Sequence, residues 1–226
     1  MPSPSELEFS RKYDPHHARQ YLHKHREGLS RRLSHWRDEQ LVRRALALVG
    51  EPGLVLDLPC GVGRFWPVLA EKPGRVIIGA DNSPAMLSLA CAAQPAEVVK
   101  RVRPLQTSGF AIDLPDNAVD TVLCMRLLHH LGEAPHRLAL LRECQRVTRD
   151  SLIVSLWVDG NFKAWKRRRL ERRRQAETGE KGYQNRFVLP TVTAEAEFHQ
   201  AGFRIQERLD FMPLYAMWRF YVLRKG

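Results

Sequence analysis

The stretch Val55–Phe65, VLDLPCGVGRF, limits the possible folds of this chain more than any other. An apolar run of strand type breaks into two glycines, Gly61 and Gly63, and then turns amphipathic. That is how a strand passing through a tight turn into a helix reads in sequence, and ligand-binding α/β sheets are assembled from this unit. The alternation continues downstream. RVIIGAD is a second strand, and Ser83-Pro84 supplies a cap and a first-turn proline for a helix to about Ala93. A short third strand lies near Leu105, AVDTVLCMRL is a fourth and SLIVSLWV a fifth. Between strands, GRFWPVLAEK reads as a helix with Pro67 in its first turn. APHRLALLRECQRVTR is amphipathic, with Leu138, Leu141, Cys144 and Val147 on one face. The pattern predicts a mainly parallel α/β sheet with helices on both faces.

The flanks differ from this centre. Residues 15–48 read as two helices, the second carrying Leu41, Val42, Ala45, Leu46 and Val49 at helical spacing before Gly50. Residues 1–50 are therefore expected to form an N-terminal helical unit, which the family resemblance described below implies is a lid, before a main domain spanning 51–226 with a basic insertion at about 160–185. TAEAEFHQAGF is a short helix, and RIQERLDFM and WRFYVLRK are two closing strands. The net charge of +11 follows the same division. Residues 1–44 hold 10 Lys/Arg against 6 Asp/Glu, residues 45–160 hold 11 against 12, and residues 161–226 hold 15 against 7. Basic flanks around a neutral centre place an anionic partner on the accessory elements, or else form a solvated surface. Cys60, Cys91, Cys124 and Cys144 show no CxxC spacing, so free thiols in a reducing compartment are expected, without zinc. The N-terminus lacks the apolar core of a signal peptide, and no apolar run is long enough to span a bilayer. The expectation is a cytoplasmic protein, with peripheral attachment at the inner membrane face left open.

What could the glycine loop hold? A nicotinamide dinucleotide site wants a third glycine for close helix–strand packing, and Trp66 stands there instead. Asp57, near the end of the preceding strand, would repel a pyrophosphate but not a ligand bearing an amino group and a sulfonium. Asp81 ends the second strand, where a carboxylate can accept both ribose hydroxyls. Asp113 follows the third strand and could accept from an adenine amino group, with Ile112 and Leu114 against the ring.

With these residues in place, VLDLPCGVGRF, GADNSPAML, GFAIDLPDNAVDTVLCMRLLHHL and LLRECQRVTRDSLIVS resemble the successive motifs of the class I S-adenosylmethionine (SAM)-dependent methyltransferases, in their small-molecule and RNA-modifying branch. The resemblance covers residues 40–160 and extends to the closing strands, which match the family's antiparallel end of the sheet. It implies a Rossmann-like fold and SAM as cofactor. Asp57, Gly61 and Gly63 would surround the methionine part, Asp81 with Asn82 the ribose, Asp113 and Leu114 the adenine, and the Met125 backbone the sulfonium. Pro59 departs from the family's usual glycine. KYDPHHARQY resembles the N-terminal helix that lids the cofactor, with Tyr13 and Tyr21 as lid residues.

No catalytic residue is fixed by the sequence. His129 and His130 are candidate general bases, but LHHL after a strand also serves for capping and packing. Cys60 has no activating neighbour in sequence and is expected to pack. Lys163, Lys166, Arg167, Arg168, Arg169, Arg172, Arg173 and Arg174 crowd one segment with a single acid, Glu171, so Trp165 and Leu170 provide at most a thin docking stripe. These bases suit an anionic substrate or regulator: RNA, an anionic lipid or phosphorylated glycolipid, or a nucleotide. NRFVLPTVTAEAEFHQAGF resembles the stretch before the last strands of wobble-uridine tRNA methyltransferases. The function expected is methyl transfer from SAM to an anionic acceptor, either RNA, a phosphorylated glycolipid or a small metabolite. The alternatives are a non-catalytic SAM-binding or phospholigand-responsive scaffold and, less well matched to Trp66 and Asp57, a nicotinamide oxidoreductase.

Overall fold

A computed structural model describes residues 29–178 and 186–226. The N-terminal lid tyrosines Tyr13 and Tyr21 lie outside the described residues. The elements run α1 (Leu29–Leu48), β1 (Leu54–Asp57), α2 (Trp66–Leu69), β2 (Val76–Asp81), α3 (Pro84–Ala93), α4 (Ala96–Val99), β3 (Val102–Gln106), β4 (Val119–Cys124), a 3₁₀ turn (Leu128–His130), α5 (Ala134–Val147), β5 (Thr148–Trp157), α6 (Phe162–Thr178), α7 (Thr191–Gln200), β6 (Phe203–Asp210) and β7 (Trp218–Lys225). Seven strands form one sheet in the order β3-β2-β1-β4-β5-β7-β6. The pairs from β3 to β5 are parallel, and β7 runs antiparallel to both β5 and β6. This is the mainly parallel sheet that the alternation predicted, with the antiparallel C-terminal end that the family resemblance implied.

Successive strand residues point to opposite faces, and the sheet uses this to build two cores. Val55, Leu123, Ile153, Phe220 and Val222 pack with α1 and α2 on one face. Leu56, Val122, Leu152, Tyr221 and Leu223 pack with α5 and α7 on the other. Leu41, Val42, Ala45 and Leu46 of α1, and Val49 just past its end, are all buried in the first core, so this helix belongs to the sheet's packing. The α5 stripe differs slightly from expectation. Leu140, Leu141, Cys144 and Val147 are buried, Leu138 is half-buried, and Arg137 is buried with Glu197 of α7. That pair is bidentate, at 2.8 and 2.6 Å. Among the described residues, no helix is long and apolar enough to cross a membrane.

The α2 helix is shorter than GRFWPVLAEK suggests, because residues 61–65 remain in turns and the chain turns again before Gly74. Trp66 explains the missing third glycine. Its fully buried ring lies where side chains would stand at two other glycines. A Cβ built at Gly63 would come within 2.7 Å of the ring, and one at Gly79 of β2 within 2.5 Å. The helix therefore packs on the sheet through a large ring seated on two glycines, where a dinucleotide fold uses a glycine on the helix.

Candidate functional site

Strands β1 and β4 are neighbours in the sheet but far apart in sequence, and the chain order reverses beside β1. A crevice opens at such a switch point, beyond the carboxyl ends of the strands. Here it is a cavity of about 560 Å³, within the roughly 300–1,000 Å³ typical of small-molecule and cofactor sites. Its wall takes Cys60, Gly61 and Val62 from the glycine loop, Asp81 to Pro84 after β2, Thr107 to Phe110 after β3, and Met125 to Leu127 after β4. His129, His130, Trp157, Arg186 and Trp218 close the far end.

Asp81 is the best-built carboxylate of the site. It is 8% exposed, and each oxygen accepts one backbone N–H, from Gly61 at 3.0 Å and from Ser83 at 2.9 Å. Burial raises its pKa from the ordinary carboxylate value, and the backbone donors pull it back toward ionisation. Gly61 has φ +54°, which favours glycine, and a Cβ there would meet no atom within 4 Å, so the loop leaves open space beside Asp81. Asn82 and Met125 line the same cavity.

Other expected residues stand elsewhere. Asp57 is 1% exposed behind the cavity wall, with neither carboxyl oxygen hydrogen-bonded among the described residues. Burial first, and then the charge of Asp81, hold its pKa well above the ordinary range. Gly63 (φ +68°) serves the turn and the Trp66 ring and is not part of the wall. Asp113 is exposed, and neither it nor Leu114 lines the cavity. Two anchors on α5 cause this. Glu143 accepts the Ile112 N–H, and Arg146 donates to the carbonyls of Ile112 and Leu114, which fastens the loop to α5. The cavity wall after β3 is instead Thr107, Ser108, Gly109 and Phe110. The candidate cavity acids reduce to Asp81 among the described residues.

The opposite end is basic and aromatic. Arg126, with φ +60°, stands two residues beyond the end of β4 and stacks its guanidinium 4.7 Å from the Trp218 ring centroid. Asp38 of α1, 1% exposed, binds both Arg126 and Arg64, the latter at 2.6 Å. One carboxylate thus positions two cavity arginines. The ring of His129 lies 5.0 Å from Trp157 and 4.8 Å from Trp218. Burial, then His130 and the nearby arginines, push its pKa down to about 2, so His129 is neutral and a weak base. His130 lies in the wall, half-buried. Cys60 is also buried, with its thiol pKa raised by burial and by Asp57 and Asp81, consistent with packing. All four cysteines are free. The sequence reading missed Arg126, Arg64, Trp157 and Trp218. An arginine near the carboxyl end of the fourth strand was the available signal.

Residues 55–151 match a family described as a methyltransferase domain. A demethylmenaquinone methyltransferase of Thermus thermophilus is 39% identical over 97 residues, 42% of this chain and 44% of that protein. A tRNA U34 carboxymethyltransferase of Shewanella frigidimarina is 32% identical over 117 residues, 49% of this chain and 33% of that one. The chain spans less than half the length of these curated relatives. Among solved structures, magnesium protoporphyrin IX methyltransferase from Synechocystis, with bound S-adenosylhomocysteine (SAH), superposes with a TM-score of 0.69 over 89% of each chain at 17% identity, a likeness of fold. Over residues 55–151 this chain is similar to a methyltransferase domain, and its sheet has the fold of that SAH-bound methyltransferase.

Proposed function

We propose that the protein transfers a methyl group from SAM to an anionic acceptor bound in the same cavity. The observation that carries this reading is Asp81, a buried carboxylate at the end of β2 held by N–H groups from two cavity loops. Each oxygen keeps a lone pair after its backbone bond, which suits a vicinal diol such as a ribose. Gly61, Asn82 and the Thr107–Phe110 turn complete that half of the wall. SAM, when bound, supplies a methyl group already activated on a sulfonium. The chain's own task is then to align the acceptor and exclude water. The cavity's other half is basic, which favours an acceptor of negative charge.

The α6 helix suits recruitment of an anionic partner, be it RNA, a lipid headgroup or a nucleotide. Arg167 and Arg168 are held in ion pairs. Arg167 pairs with Glu171 at 2.7 Å and donates to the Arg186 carbonyl, and Arg168 pairs with Asp159 at 3.1 Å. Trp165 and Leu170 are about half exposed and do not dock the helix, whereas Ala164 is buried. Lys163, Lys166, Arg169, Arg172 and Arg173 are exposed.

Calorimetry with SAH tests the cofactor assignment, and incubation with methyl-labelled SAM and cell fractions tests turnover. Binding together with label transfer supports the enzyme. Binding without transfer to any fraction favours the scaffold alternative, and absence of binding removes both.

A further inference from the structure

The basic end of the cavity contains two buried polar atoms without a hydrogen-bond partner among the described residues, Trp157 Nε1 and His129 Nδ1. Trp157 is 8% exposed and His129 5% exposed, and both line the cavity. Buried polar groups are normally satisfied, so two orphans on one cavity wall point to a ligand that completes them. Arg126 stands on the same wall with its orientation fixed twice over, by the Trp218 ring on its face and by Asp38 on one Nη. Trp157 and Trp218 face each other in register across β5 and β7, with centroids 5.6 Å apart and planes at 73°, so they form a corner of two indoles.

We propose that this corner is an oxyanion receptor. Arg126 and the Trp157 indole N–H bind a carboxylate or phosphate of the methyl acceptor, while the edges of Trp157 and Trp218 receive its apolar body. Charge supports an anion here. Arg126 and Arg64 share the single carboxylate of Asp38, and the guanidinium of Arg167, paired with Glu171, sits 5.0 Å over Trp157. His129 adds no charge, because its burial keeps it neutral. A cationic methyl donor beside these arginines would be repelled unless the acceptor supplies negative charge between them, so an anionic acceptor relieves both. Donors buried and fixed in this way also discriminate, since an analogue without the oxyanion leaves them unpaired.

The proposal rests on donor binding at the Asp81 end, and its test separates the two. The SAH-loaded protein is titrated with benzoate, with phenyl phosphate and with neutral benzyl alcohol, by calorimetry and tryptophan fluorescence. At least one anion should bind ten or more times tighter than the alcohol, and the preferred anion identifies the oxyanion class. Arg126→Gln should remove that preference while the Kd for SAH stays within about twofold, and Arg126→Lys should restore part of it. Trp157→Phe, which keeps a ring but removes the N–H, should weaken the anion several-fold and the alcohol little. Equal binding of anions and alcohol to the SAH complex would overturn the receptor and leave donor binding intact. Failure of SAH itself to bind would overturn the reading beneath it.

Discussion

Asp57 and Asp81 end neighbouring strands, yet their surroundings give them different work. Asp81 has two backbone donors and an open cavity, so its charge is usable. Asp81→Asn keeps the shape but turns an NH₂ toward a backbone N–H and removes the charge. Hydrogen bonds to charged groups contribute about 1.5–3 kcal/mol, so the Kd for SAH should rise at least tenfold in calorimetry, with the melting transition still cooperative. An unchanged Kd would remove Asp81 from the cofactor site. Asp57 has the opposite character. Its folded pKa is raised, so the folded state keeps a proton that the unfolded state releases. The stability this contributes is fully present below the unfolded value of about 3.9 and is lost as pH rises toward the folded value. Relative to the parent, Asp57→Asn should therefore gain stability between pH 4 and pH 8, by up to about 1.4 kcal/mol per pH unit for one proton. Urea unfolding at both pH values measures the gap, and a constant gap would contradict the assignment.

Between elements, the buried Arg137–Glu197 pair joins α5 to α7 on the face of the sheet away from α1. Arg137 also donates to the carbonyls of Leu131 and Gly132, which holds the chain just after the 3₁₀ turn bearing His129 and His130. Removing one partner leaves a buried charge uncompensated, at a cost of about 3–5 kcal/mol. Glu197→Gln should destabilise by an amount in that range in denaturant unfolding. Arg137→Met combined with Glu197→Leu should recover most of the loss, because apolar replacement of a whole buried pair is often neutral. A double variant as unstable as the single one would show that the carbonyl bonds of Arg137, and not the ion pair, hold this corner.

Across the whole molecule, charge is arranged along the cavity and then out onto the surface. Asp81 marks one end, the arginines and tryptophans mark the other, and α6 extends the basic side outward. Arg169, Arg172 and Arg173 are exposed and do not line the cavity, so they can be changed without touching it. Replacing all three with Gln should leave SAH affinity within about twofold, under about 0.5 kcal/mol. If they meet phosphates, the salt dependence of single-stranded RNA binding should flatten by up to about two units of slope, at roughly 0.7 per contact. An unchanged slope would make this part of α6 a solvated face toward RNA.

The strand–helix alternation, the α1 stripe from Leu41 to Val49 and the closing strand WRFYVLRK were all legible in the sequence, because apolar periodicity reports directly which side of an element meets a core. The place of Asp81 on the cavity wall was legible too, since it depends only on a strand ending beside a glycine loop. Asp113 was not. Its distance from the cavity depends on Glu143 and Arg146, some thirty residues away on α5, which fasten the loop around it. The basic end was invisible for the same reason. Asp38, Arg64, Arg126, Trp157 and Trp218 come from five separate stretches of chain and meet only when α1 docks and β7 pairs with β5. Local sequence thus determined the elements and one end of the site, whereas contacts between distant residues, set by the closed sheet, decided the other end.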